Sequence, residues 1–96
     1  MKENNFYAVL SIRTGEGFEN SGKFNLGNQQ EAASDVFRQL RGSSVVDEKT
    51  MLTIDLMETI NDLPVNLHIL ACTLDELAHN CRIITKQVFK IFNLMP

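Results

Sequence analysis

Hydrophobic and polar residues alternate in four short segments of the chain. In residues 6–13, FYAVLSIR, every second position is apolar, and the members of this set are Phe6, Ala8, Leu10 and Ile12. A period of two residues is typical of a strand with one face turned toward a core. The same pattern predicts further strands at about 23–27, 51–59 and 65–72.

Two other segments repeat their apolar residues at helical spacing, and predict helices at about 29–41 and 74–93. Asn28 with Glu31, and Thr73 with Glu76, have the spacing of capping boxes. The second helix carries a narrow apolar stripe of Leu77, Cys81, Ile84, Val88 and Ile91, widened by Leu74, Phe89 and Phe92. A stripe of this kind predicts a helix packed on the sheet.

Two segments read as connections between strands. Residues 14–22, TGEGFENSG, contain three glycines and no periodicity, and predict a long flexible hairpin loop in which Phe18 packs on the sheet edge or contacts a partner. Asn61, Asp62 and Pro64 predict a turn between the third and fourth strands.

The order of elements is therefore ββαββα, and 96 residues supply material for a single α+β domain over residues 1–96. This order is similar, in topology only, to a ferredoxin-like βαββαβ fold whose last strand is moved to the front. That comparison implies a two-layer sandwich with a four-stranded antiparallel sheet, strand order 1-2-4-3, and both helices on one face.

Composition narrows the functional classes. Nine basic and twelve acidic residues give a net charge of −3, which disfavours binding to nucleic acid through its phosphates. We find no apolar run long enough for a membrane span and no secretory signal pattern in the sequence. Two cysteines without a secretory context favour reduced thiols and a cytoplasmic protein.

If both helices cover one face of the sheet, the other face is open. The strand alternation assigns to it polar residues together with Tyr7, Val9, Met57, His68, Leu70 and Cys72. With Phe18 from the adjoining loop, these residues form a possible interaction surface. The alternative is a solvated face with scattered apolar side chains, or one covered by the long loop.

Every His and Cys of the chain lies within residues 66–81, NLHILACTLDELAHNC. His68 and Cys72 are four strand positions apart, roughly 13 Å, which is too far to share a metal ion. His79 and Cys81 are about 200° apart around a helix. The spacing therefore predicts no metal site, cofactor or catalytic group. Cys72 precedes a helix N-terminus, where a thiol pKa can be lowered, so a reactive thiol stays an alternative.

These observations favour a non-enzymatic protein-interaction or regulatory module, a homodimer or a partner of another protein, that associates through the open sheet face or a strand edge. The alternative is a small-ligand sensor or a cysteine-dependent enzyme that uses the sheet face around Tyr7, His68 and Cys72. A third possibility is an RNA-binding sheet, which needs stacked aromatic side chains with basic neighbours; the predicted face supplies only Tyr7 and Arg13.

Overall fold

The computed structural model describes residues 5–94, except for the side chains of Ile91 and Leu94. The elements are β1 (Asn5–Thr14), β2 (Gly17–Asn25), α1 (Gln30–Arg38), β3 (Leu52–Ile60), β4 (Leu63–Cys72), α2 (Leu74–Phe89) and a π-helical turn (Lys90–Leu94). The predicted order ββαββα, the antiparallel four-stranded sheet and the two helices are confirmed.

The order of strands in the sheet is β2-β1-β3-β4, so the predicted order 1-2-4-3 is wrong, and the permuted ferredoxin-like topology with it. β1 and β3 pair along eight positions at the centre, with Val9 opposite Asp55. The physical reason lies in the outer strands. β2 holds charged residues and Gly22, and β4 holds Pro64, which has no N–H to donate to a second neighbour.

β2 begins at Gly17, and the predicted long loop over residues 14–22 is therefore wrong. Thr14 pairs with Gly17 across a tight turn, and its hydroxyl donates to the Gly17 carbonyl and accepts from the Glu16 N–H. Pairing with β1 gives this segment its strand geometry, although its own composition favours a loop. The turn at Asn61 and Asp62 is confirmed, and both residues have positive φ.

Both outer strands contain a bulge that changes which residues face the helices. Leu56 pairs with His68 and Met57 with Asn66, so Leu67 is an extra residue in β4. Ser21 is the extra residue in β2. Because each added residue reverses the alternation beyond it, the sequence pattern assigns the wrong faces past the bulge.

Both helices pack on one face of the sheet, as predicted. The buried core comprises Phe6, Ala8, Leu26, Ala33, Val36, Phe37, Ile54, Leu56, Cys72, Leu77 and Ile84. The capping box at the start of α2 is confirmed: the Thr73 N–H donates to Glu76 Oε1 at 2.9 Å, and the Glu76 N–H donates to Thr73 Oγ1 at 3.2 Å.

α1 is shorter than predicted. Its N-cap is Gln29, whose side chain makes no capping hydrogen bond, so Asn28 is not the N-cap. The helix ends at Arg38 instead of residue 41, and Gly42 serves the next connection. A Cβ on Gly42 would lie 2.9 Å from the Ala71 carbonyl oxygen, so glycine allows the chain to approach β4. Ser43 and Ala71 then exchange two backbone hydrogen bonds of 2.9 and 2.7 Å.

Across residues 5–94, no helix combines the length and apolarity that a membrane crossing requires.

Candidate functional site

The face of the sheet opposite the helices, called here the open face, brings together three of the predicted surface residues. Tyr7 pairs with Met57 across β1 and β3, and Val9 is the next residue on the same face of β1. Their strand neighbours on this face are Ser11, Arg13, Asn20, Lys23, Asn25, Thr53, Asp55, Asn66, Ile69 and Ala71. Tyr7, Val9 and Met57 are half-buried, and they form one apolar strip over the two central strands.

Phe18 also belongs to the open face, because it lies opposite Arg13 in β2. The Arg13 guanidinium lies 4.7 Å from the centre of the Phe18 ring, and the Lys23 ammonium lies 4.4 Å from the centre of the Tyr7 ring. Such contacts attract the cation to the π-face and also cover part of the ring. Both aromatic side chains of this face are therefore partly covered by basic ones.

Arg13 also connects the open face to the segment before β3. Its Nε donates to the Thr50 carbonyl at 2.6 Å, and Nη2 donates to the Asp47 carbonyl at 3.1 Å. Ser11 and Thr53, which pair across β1 and β3 next to Arg13, are buried on the same face. The open face is thus a shallow surface whose Arg13 end is closed by the residue 47–50 turn.

Asp55 lies at the centre of the open face, beside a depression of about 590 Å³ that Tyr7, Val9 and Lys23 also line. Asn66 Nδ2 donates to Asp55 Oδ2 at 3.1 Å, while Oδ1 is buried without a hydrogen-bond partner in the part of the chain the structure describes. Burial raises the pKa of Asp55, and the Asn66 and Thr53 side chains offset part of that rise. The face therefore holds a carboxylate that is poorly solvated.

His68, Leu70 and Cys72 are on the helix side of the sheet, so their predicted place on the open face is wrong. The bulge at Leu67 sets them opposite Leu56, Ile54 and Leu52, all of which face the helices. His68 stacks on Phe37 of α1, with the ring centres 5.7 Å apart. Ile69 and Ala71 take the open-face positions instead. Tyr7 and the pair His68 and Cys72 are thus on opposite faces and cannot form one site.

Cys72 is buried against the chain segment that follows α1. Asn80 Nδ2 lies 3.5 Å from its Sγ, and the Arg41 carbonyl lies 3.6 Å from it. Burial raises the pKa of the Cys72 thiol, and the nearby charge of Glu76 raises it further. This direction is opposite to the lowered thiol pKa that the helix N-terminus suggested. Burial raises the pKa of Cys81 as well.

Asn80 is a structural residue that the sequence pattern did not single out. It is fully buried in α2, its Oδ1 accepts from the Arg41 N–H at 2.8 Å, and its Nδ2 donates to the Arg41 carbonyl at 2.7 Å. Two hydrogen bonds to one backbone residue fix the path of the chain between α1 and β4. The helical spacing could have indicated its burial, because Asn80 lies three residues after Leu77 and four before Ile84 on the buried stripe.

A second concave surface, called here the sheet-end groove, lies between the segment before β3 and the start of α2. It has a volume of about 620 Å³, and its lining includes Val45, Asp47, Met51, Leu52, Leu74 and Glu76. Leu74 and Val45 are 73% and 67% exposed. The sequence pattern does not indicate this groove, because residues 43–50 are mostly polar and Leu74 has the helical spacing of the apolar stripe.

Metal binding finds no support in the geometry of residues 5–94, where no three His, Cys, Asp or Glu side chains converge as ligands. No protein-family model, curated protein or solved structure matches the chain. Its function has to be inferred from its own residues.

Proposed function

We propose that this protein is a non-enzymatic interaction module that self-associates through the open face of its sheet. The observation that supports the proposal is the apolar strip of Tyr7, Val9 and Met57 at the centre of a sheet face that carries no helix. The solvated face of an antiparallel sheet usually carries polar side chains, whereas this strip places apolar side chains on both central strands.

The strand edges are less suited to association. β2 has a bulge at Ser21 and carries the charged residues Glu19 and Lys23. β4 has a bulge at Leu67 and contains Pro64, and its residue Ala71 already pairs with Ser43. Bulges, charges and proline are the features by which sheet edges avoid pairing with another chain. The open face is therefore the preferred surface for a second copy.

The size of the open face suits a modest dimer. Four strands about 4.8 Å apart and about 30 Å long present roughly 600 Å² per copy, or roughly 1,200 Å² for a pair. That is the lower end of the range for specific interfaces. Asp55 Oδ1 has no hydrogen-bond partner among residues 5–94, and basic side chains lie over Tyr7 and Phe18. Both features predict a dimer with a micromolar rather than a nanomolar dissociation constant.

The test is the mass of the protein in solution, measured by light scattering after gel filtration and by native mass spectrometry, from low to high micromolar concentration. We expect a concentration-dependent dimer that Val9→Glu converts to a monomer, because the new carboxylate lies opposite Asp55 and the interface would have to bury both charges. Val65→Glu, at an exposed position of β4 outside the open face, is the matched control and should leave the dimer intact.

Circular dichroism and thermal unfolding of each variant separate loss of the interface from loss of the fold. Met57→Lys is the second variant, and it should also give a folded monomer. A wild-type protein that stays monomeric at high micromolar concentration would overturn the proposal. So would dimers that survive both Val9→Glu and Met57→Lys but dissociate with Val65→Glu, since these would identify the β4 edge.

A further inference from the structure

The two ends of α2 carry large apolar side chains that the core does not cover. Leu74, at the first position, borders the sheet-end groove, and Phe89 and Phe92, beyond the far end of the core, are 56% and 57% exposed. The helical spacing places all three beside the buried stripe, yet the structure leaves them in contact with water. An exposed apolar surface at both ends of one rigid element needs an explanation.

The groove end of the molecule is acidic. Asp47 and Glu76 line the groove, and each has an exposed acidic neighbour in the chain, Glu48 and Asp75 respectively. Lys49 is the basic residue of the lining. Glu76 also caps α2, so its position is fixed. The groove therefore combines an apolar lining of Val45, Met51 and Leu74 with carboxylates at its margin.

The far end of α2 has the opposite character. Residues 77–96 contain no Asp or Glu, and Lys86 and Lys90 flank Phe89 on the helix surface. Neither lysine forms a salt bridge with a residue of the described chain. We call this end, defined by Lys86, Phe89, Lys90 and Phe92, the aromatic tail. It is an exposed apolar end with a basic margin, complementary to the groove in charge.

We propose that the aromatic tail of one copy docks in the sheet-end groove of a second copy. A molecule cannot fill its own groove, because Phe89 and Phe92 follow Leu74 by 15 and 18 helical residues, about 22 and 27 Å along α2. The contact is heterologous, since it joins different surfaces of the two copies, and repetition of it builds a chain or a closed ring. It uses none of the open-face residues Tyr7, Val9 and Met57, so it stands independently of the open-face dimer.

The experiment uses complementing variants in the full chain carrying Val9→Glu, which removes the open-face dimer. Phe89→Ser with Phe92→Ser gives a tail-deficient protein, and Val45→Ser with Leu74→Ser gives a groove-deficient protein. We expect the Val9→Glu parent to be a monomer over the micromolar range and to form larger species only near millimolar concentration, where each deficient variant should stay monomeric. An equimolar mixture of the two should form a 1:1 complex, because one intact tail and one intact groove remain.

A mixture that stays monomeric would overturn the proposal, whereas a two-fold symmetric tail-to-tail contact would give no complementation. Circular dichroism and thermal unfolding establish that each variant is folded, and all four substituted side chains are mostly exposed, so the fold should persist. If the open-face proposal fails, Val9→Glu simply leaves the mass unchanged. Complementation is still read by comparing the mixture with its separate components.

Charge reversal supplies a second test of the same contact. Glu48→Lys with Asp75→Lys at the groove margin should weaken association by about tenfold at low salt, and Lys86→Glu with Lys90→Glu should weaken it similarly. Mixing the two reversed proteins should restore it, because the signs are again opposite. Association that is insensitive to both reversals would contradict the assigned pairing of groove and tail.

Discussion

The two faces of the sheet use the same strands for different purposes. On the helix side, Phe6, Ala8, Ile54 and Leu56 are almost completely buried. On the open face, Tyr7, Val9, Asp55 and Met57 of the same strands are half-buried, and basic side chains lie over two aromatic rings. Burial on the covered face supplies most of the free energy of folding, so stability constrains the side chains of the open face less strongly.

The sharpest test of this comparison uses two neighbouring residues, Leu56 and Met57, that point to opposite faces. Leu56→Ala should lower the free energy of unfolding by about 2–5 kcal/mol, because it leaves a cavity in the core. Met57→Ala should cost less than about 1.5 kcal/mol, since half-exposed atoms lose less burial. Urea denaturation of both variants measures the difference. Equal losses would mean that the open face contributes to the core after all.

A second prediction concerns the polar contact within the covered side. Asn80→Ala should lower the free energy of unfolding by about 1–3 kcal/mol, because it leaves the Arg41 N–H and carbonyl without their partners. His79→Ala, at the next position of α2, serves as the control and should have a much smaller effect. A loss below about 0.5 kcal/mol for Asn80→Ala would show that water replaces the side chain without cost.

A third prediction concerns the edge of the sheet, where the segment that follows α1 approaches β4. Gly42→Ala should destabilise the fold by about 1–2 kcal/mol, because Gly42 has a φ of +153° and an added Cβ would meet the Ala71 carbonyl oxygen at 2.9 Å. Gly15→Ala is the matched control, since a Cβ there meets nothing within 4 Å. Thermal unfolding of the two variants should separate them. Similar melting temperatures would argue against the close approach at β4.

The smallest expected effect belongs to the open face and depends on pH. Because the pKa of Asp55 is raised above its ordinary 3.8, ionisation is harder in the folded protein, and Asp55 destabilises the fold once the pH exceeds that ordinary value. Asp55→Asn should therefore stabilise the protein by less than about 1 kcal/mol at pH 7. The gain should vanish as the pH falls below 3.8. A stability difference that grows on acidification would contradict this sign.

The sequence predicted the elements well where local signals agree. The capping box of Thr73 and Glu76, the alternation in β1 and β3, and the positive-φ turn at Asn61 all depend on residues close in the chain. It failed for the first part of β2, residues 17–22, a Gly- and Ser-rich segment that becomes a strand only through its hydrogen bonds to β1. It also failed for Leu74, Phe89 and Phe92, because a helical stripe does not show where the sheet beneath it ends.

The candidate surface shows the same division. Tyr7, Val9 and Met57 were placed correctly because β1 and β3 keep a regular alternation. His68, Leu70 and Cys72 were assigned to the wrong face because the bulge at Leu67 leaves no recognisable mark in the composition of β4. The sheet-end groove was beyond prediction, since its walls come from a loop and a helix start that meet only after folding.

The order ββαββα and the apolar faces of the central strands were predictable from the sequence, because both follow from short-range periodicity and capping. Tertiary contacts set the strand order, the two bulges, the burial of Cys72 and the common place of Val45 and Leu74 in the groove lining. Each of these depends on which distant segments pair and how closely they pack, and the free energy of such contacts belongs to no single stretch of the chain.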